Sequence, residues 1–464
     1  MSRKSFSILA EFLFLALAFA SAYYFRSKWF LFAGCGIWAL MQMLKPVKIF
    51  YFLTLFYPFA YTQFALTGSG GMELSIWNVL LVILLLFVLL RRFVLKDLFG
   101  TASDISFPAA VQANFLMVAM FSVAVLLTSF LHGEGISFWV SSVSYALAFA
   151  APLFLVDRPG IFSRTIRLFA GAALILSVSA ILSSYGILNL KSLNMTPYGV
   201  RRFLGAEYSS TGLIQSRGGF GVNMAFILPF VYLSIAKSIK RAAIRVRNVP
   251  EVVVRLSVPA VLGLSIILSG SRATWVMGIV VTILFLTINQ FMRNIRNYLG
   301  FIAGLIVPSA ITLWVFLKGP AVKLFASLYN ISPDSVDERI WTNRGAIDSI
   351  ISNPFFGVPH RQVENLLGLH GTVEIHNFFL YIATENGIMA ALLVLFLFIC
   401  TFRLVFKLWS TSVGETRQMA ACMLAGLAGM TASLMFYSGG EKQIWMYLGL
   451  MNSFYMSRGS GQHQ

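Results

Sequence analysis

Apolar stretches of membrane-spanning length recur from one end of this chain to the other, parted mostly by short polar links. They lie at about 8–24, 29–44, 49–67, 76–91, 107–131, 137–156, 166–187, 219–236, 255–270, 273–291, 299–317, 376–402, 416–437 and 441–456. This pattern predicts an all-α, polytopic transmembrane fold of about 12–14 spans. Two links are much longer than the rest, 188–218 and 318–375. Inside the second, Val336–Ile351 (VDERIWTNRGAIDSII) has apolar residues at helical spacing. That spacing predicts an amphipathic helix on the membrane surface. Ser352-Asn353-Pro354 should end it, because the residue before a proline avoids the helical region. No internal repeat or separate soluble domain interrupts the series. The chain divides into N-terminal transmembrane helices, 1–187, and a second transmembrane unit, 188–464, which carries both long loops.

Composition agrees with the pattern. The chain is 58% hydrophobic and 11% charged, with a mean hydropathy of +0.80, whereas a soluble domain carries about 25% charged residues. The first apolar run is long and is followed by further spans, so it reads as a membrane helix rather than a leader. Cys35, Cys400 and Cys422 all fall in apolar runs and read as small core residues.

A net charge of +18 raises the question of nucleic acid. The position of the charge answers it. With the N-terminus inside, alternation makes every inside link basic and gathers most of the 35 lysines and arginines there or at the termini. The two long outside loops hold seven of the 17 acids. The expected partners are therefore membrane lipids, with no nucleic acid, and both termini are expected on the cytoplasmic side.

The outside loop 318–375 ends at a concentration of titratable groups in a chain otherwise poor in them. Counting His376, three of the five histidines occur there (His360, His370, His376), with three arginines and six acids. His376 begins an apolar run and suits a general base, with Asn377 beside it to orient it. A lone histidine is more often structural, and none of these has the paired helical spacing of a metal site. Glu385, about two turns on, is a candidate as an acid within an apolar run. Arg217 stands at the mouth of a glycine-rich helix start. It is equally well read as a phosphate ligand or as an arginine reaching to interfacial water. Arg201 and Arg202 read as interfacial, and Asn223 as a packing or interhelical residue. Arg272, in Ser-Gly-Ser-Arg between two spans, reads either as an anion clamp or as the partner of a structural carboxylate; the hydroxyls around it favour the clamp. On the amphipathic segment, Arg339 suits an anion and Trp341 suits a sugar or the interface. Arg344 lies on the same segment as a further substrate contact, Glu338 reads as an arginine's partner, and Asn353–Gly357 (NPFFG) reads as an architectural turn.

The order SRA…W, R-x-W in a long loop, NPFFG, then HN-x-x-L-x-x-x-x-E-x-G-I at a helix start resembles the O-antigen ligase and polymerase superfamily over about Arg217–Ile388. The commoner ligase plan has twelve helices rather than about fourteen. The resemblance implies a metal-independent glycosyltransferase without a cofactor, in the bacterial inner membrane, with a periplasmic active site. It implies transfer of glycan from undecaprenyl diphosphate to an acceptor, for O-antigen, lipopolysaccharide or exopolysaccharide assembly. By position it maps the catalytic base to His376 and the anion-binding arginines to Arg272 and Arg339; the readings above add Arg217, Trp341, Arg344 and Asn377 as contacts to diphosphate or glycan. The chain has no nucleotide-binding motif, so the donor must bring its own leaving group. Polymerase is slightly favoured over ligation to a lipid A core. A flippase is the remaining alternative, and the absence of repeated halves and of midplane charges speaks against it.

Overall fold

The computed structural model describes residues 28–42, 45–56, 76–89, 107–133, 136–184, 201–203, 206–208, 217–244, 249–269, 271–288, 334–359, 375–435, 437 and 442–459, besides Leu17 and Ser21. The helices are α1 (Lys28–Met41), α2 (Pro46–Phe56), α3 (Ile76–Leu89), α4 (Ala109–Leu131), α5 (Ile136–Leu155), α6 (Pro159–Ser184), α7 (Arg217–Ile244), α8 (Val249–Leu268), α9 (Arg272–Ile288), α10 (Asp334–Ser352), α11 (Phe378–Thr411), α12 (Gly414–Leu434) and α13 (Lys442–Gly459). Among the described residues, four stretches are long and apolar enough to cross a membrane: Ala109–Leu131, Pro159–Leu182, Gly219–Lys237 and Phe378–Thr411. The fold is that of an all-α polytopic membrane protein. The predicted spans reappear as helices as far as they are described; of 8–24 only Leu17 and Ser21 are described, and 57–67 of the third run and all of 299–317 lie outside the described residues. A short hairpin in loop 188–218, β1 (Arg201–Phe203) and β2 (Ala206–Tyr208), was not foreseen; three-residue strands carry too little alternation to register in the sequence.

The core gathers on α7. Every described side chain from Gly219 to Leu233 is buried. The helix packs against α6, α8, α9, α12 and α13. Lipid tails are as apolar as leucine, so burial alone does not hold such helices together; close backbone approach and polar links do. On α12, Gly426 lies against the backbone of Phe226, with its Cβ position 3.3 Å from Phe226 Cα, and Gly429 faces Val281 of α9. Polar links join the helices. Tyr447 donates to Asn223 Oδ1 at 2.6 Å across α13 and α7, and the Tyr447 ring stacks on Phe226 at 4.0 Å. Asn114 Nδ2 donates to Asn452 Oδ1 at 2.7 Å, and Asn452 Nδ2 reaches Thr401 at 3.2 Å, which ties α4, α13 and α11. Asn223 is thus an interhelical residue.

Two ends of the bundle differ in character. At one, Lys237 of α7 pairs with Glu415 at the start of α12 at 2.8 Å, Arg458 of α13 adds to the field on Glu415, and Arg417 lies 5.2 Å over the Trp409 ring. At the other, the start of α7, the start of α9 and the end of α12 meet: a Cβ on Gly221 would lie 2.7 Å from Thr274 Oγ1 and 3.2 Å from Ser433 Oγ.

Candidate functional site

The start of α11 is built by its cap. Asn377 has extended backbone (φ −151°, ψ 116°), and its Oδ1 accepts from the amides of Phe379 at 3.0 Å and Leu380 at 3.1 Å. An asparagine at this position satisfies amides that have no partner within the helix. Asn377 Nδ2 points to Met435 Sδ at 3.8 Å, just past the end of α12. His376, half-buried, is held between the cap and the buried Ile375.

Within α11 the helix breaks. Gly387 has φ 83° and ψ 165°, so the first nine residues, Phe378–Asn386, form a half-helix of their own. The predicted span 376–402 reappears as Phe378–Thr411, with this break inside it. In an unbroken helix the amide of Ile388 would bond the carbonyl of Thr384. Here both groups turn to the Asn353–Gly357 turn and its neighbour. The Ile388 amide donates to the Pro354 carbonyl at 2.8 Å, and the Val358 amide donates to the Thr384 carbonyl at 2.8 Å. Gly357 (φ 65°) closes the turn with its amide on the Asn353 carbonyl at 3.0 Å. Thr128 of α4 donates to Asn386 Oδ1 at 2.9 Å beside the break. Sequence reasoning took NPFFG for architecture and did not see what it supports. The available signal was Asn386-Gly387 inside an apolar run, a turn dipeptide where a helix should continue.

The break changes the setting of Glu385. The segment from Ile388 to Lys407 rises about 30 Å, the thickness of a hydrocarbon core, so the half-helix falls at the edge of the span. Glu385 is 9% exposed and within electrostatic reach of the Tyr145 phenol. It is a buried acid at the base of the half-helix.

Helix α10, predicted at Val336–Ile351, spans Asp334–Ser352. Its buried positions Thr342, Ala346 and Ser349 recur at helical spacing on one face. Ala346 joins Val358 and Ile375 in a small core against which Leu380 and Tyr381 pack. So α10 rests on the half-helix of α11, while Trp341 and Arg344 are exposed.

The predicted arginines are placed by their backbones. Arg217 is the first residue of α7 and Arg272 the first of α9. Through Gly221, Thr274 and Ser433 these two starts sit together at the end of α12, and Met435 connects that end to Asn377. Arg339 occupies α10 three residues before the buried Thr342. The side chains of Arg217, Arg272, Glu338 and Arg339, and His360 and His370 altogether, lie outside the described residues. Two helix N-termini side by side make a region of positive potential, where backbone amides face outward. Between them the hydroxyl of Ser433 is buried with no hydrogen-bond partner among the described residues.

No curated protein matches the chain. Residues 258–395 match the family described as O-antigen ligase. The matched stretch runs from within α8 to within α11, so it takes in Arg272, Arg339, Trp341, Arg344, the Asn353–Gly357 turn, His376 and the break at Gly387, and it leaves Arg217 outside. Over that segment, less than half of the chain, this membrane protein is similar to the O-antigen ligase family, which supports the resemblance read from its motifs.

Proposed function

We propose that the protein transfers glycan from undecaprenyl diphosphate to an acceptor sugar hydroxyl on the periplasmic face of the bacterial inner membrane, joining repeat units as a polymerase. The observation that carries this reading is the meeting of the α7, α9 and α11 starts around the end of α12, which gathers Arg217, Arg272 and His376 at one end of the bundle. The opposite end is marked by Lys237, Arg417 and Arg458, which supports placing that end in the cytoplasm. His376 takes the proton of the acceptor hydroxyl as its oxygen attacks the anomeric carbon. The bond to the diphosphate breaks, and Arg217, Arg272 and Arg339 stabilise the charge that develops on the leaving group. Trp341 and Arg344, exposed on α10, face incoming glycan, and Asn377 fixes the backbone that carries the base. The acceptor is a sugar hydroxyl either way; ligation to a lipid A core differs in which molecule presents it.

The test is complementation of a deletion strain. His376→Ala should abolish transfer, and Arg272→Lys should impair it severely because lysine lacks the two-pronged donor geometry, with both proteins present in the membrane at normal level. Loss of a polymerase leaves single-repeat glycan on its final acceptor. Loss of a ligase leaves long chains on the carrier. Full glycan assembly by His376→Ala would refute the base assignment.

A further inference from the structure

We propose that Gly387 and the Asn353–Gly357 turn form a backbone clip that positions His376, so that both are positioning elements for the transfer reaction. The inference rests in part on the glycan-transfer reading above. The two segments share paired main-chain bonds, Ile388 amide to Pro354 carbonyl and Val358 amide to Thr384 carbonyl, each 2.8 Å. Both glycines have φ in the left-handed region, 83° at Gly387 and 65° at Gly357. Each also lies where a side chain would strike the other segment. A Cβ on Gly387 would overlap the Phe355 carbonyl, and one on Gly357 would overlap the carbonyl of Thr384. Glycine is therefore required twice over at each position, for conformation and for space.

The clip matters because the half-helix cannot hold itself. Nine residues are too few for a stable isolated helix. Its position is set by what grips it: the clip and the Thr128–Asn386 bond at the base, and the Asn377 cap, Met435 and the Ala346–Ile375 contact at the mouth. Were Gly387 helical, Asn377 and His376 would stand about 17 Å up the axis of the span from Ile388. The break removes them from that axis, and the clip satisfies the carbonyl and the amide that the break frees. Such groups left bare at the membrane edge would be costly.

The experiment uses the full-length protein in nanodiscs. Gly387→Ala should lower kcat about a hundredfold, the scale expected for displacing a catalytic group by about 1 Å, while affinity for the lipid-linked donor falls much less, since Arg217 and Arg272 stand on α7 and α9, separate elements, and only Arg339 lies on a helix packed against the half-helix. Ile388→Pro is the gentler variant. Proline is favoured at the first position of a helix, and the ψ of 165° at Gly387 suits a residue before proline. The variant keeps the break and deletes the amide bonded to Pro354, so kcat should fall about tenfold for the one lost bond. Amide hydrogen exchange should rise together in 353–358 and 378–386 in both variants. Wild-type kcat in Ile388→Pro with the turn deprotected would overturn the proposal. So would unchanged exchange, or a parallel loss of kcat and donor affinity. If the wild-type protein transfers no glycan, the functional reading fails, and the clip is judged on exchange alone.

Discussion

Tyr447 and Asn223 lie far apart in the chain and meet through a 2.6 Å hydrogen bond in the core. Asn223 also donates to the Gly219 carbonyl at 2.7 Å, so its amide is held on both sides. Tyr447→Phe keeps the ring on Phe226 and leaves Asn223 Oδ1 without its hydroxyl donor. It should destabilise the protein by about 1 kcal/mol, measured by thermal unfolding in detergent, and an unchanged midpoint would show the bond to be without weight. At this scale the sequence is legible where a residue contradicts its surroundings. Asn223 in an apolar run announces a polar partner, and His376-Asn377 announces the start of a helix at a polar boundary. It is illegible where the meaning lies in a distant partner. Tyr447 gives no sign of Asn223, and Gly387 gives no sign that the turn at Asn353–Gly357 will fill the space a side chain would take. The guanidinium positions of Arg217 and Arg272 are of the second kind, since helix starts show where a residue begins and not what its side chain meets.

Among elements, period and length were enough to predict most helices, including α10 in an otherwise polar loop. Two features went beyond periodicity. One is the break in α11, where hydrophobicity continues across a point at which the backbone does not. The other is the seat of α10, whose inner face packs on the α11 half-helix; its amphipathic pattern fits a membrane surface and a protein surface equally. The ends of α7 and α12 offer a measurable coupling. Glu415 lies outside the spans, and its hydrogen bond with Lys237, the Lys237 charge and, more weakly, Arg458 hold its carboxyl below the usual range for a glutamate. A carboxyl lowered by folding contributes stability that is complete above its unfolded pKa, about 4.3, and lost as pH falls through the folded value. Unfolding followed from neutral to acid pH should therefore show a loss that Glu415→Gln lacks. The two proteins should converge at the acid end, and identical slopes would remove the pair from the stability of the α7–α12 contact.

For the whole molecule, alternation of basic links is a property of the entire chain and not of any one loop, which is why the sequence alone suggests an orientation. The structure places Lys237, Glu415 and Arg458 at one end and the starts of α7, α9 and α11 at the other. The break in α11 has a consequence at this scale. Lys407 and Gly387 are separated by about one hydrocarbon thickness, and beyond Gly387 the exposed rings of Phe355 and Phe356 stand beside the exposed Ile388 and Met389. A thicker bilayer would draw this aromatic rim under, and a thinner one would strand it in water, with a strain of fractions of a kcal/mol per Å borne by the clip. Turnover in vesicles of graded acyl-chain length should pass through a maximum, and a flat response would mean that the half-helix is insulated from the bilayer. The lipid in which the protein sits would then act as a dial on its chemistry, turned by the same short turn that closes the helix break.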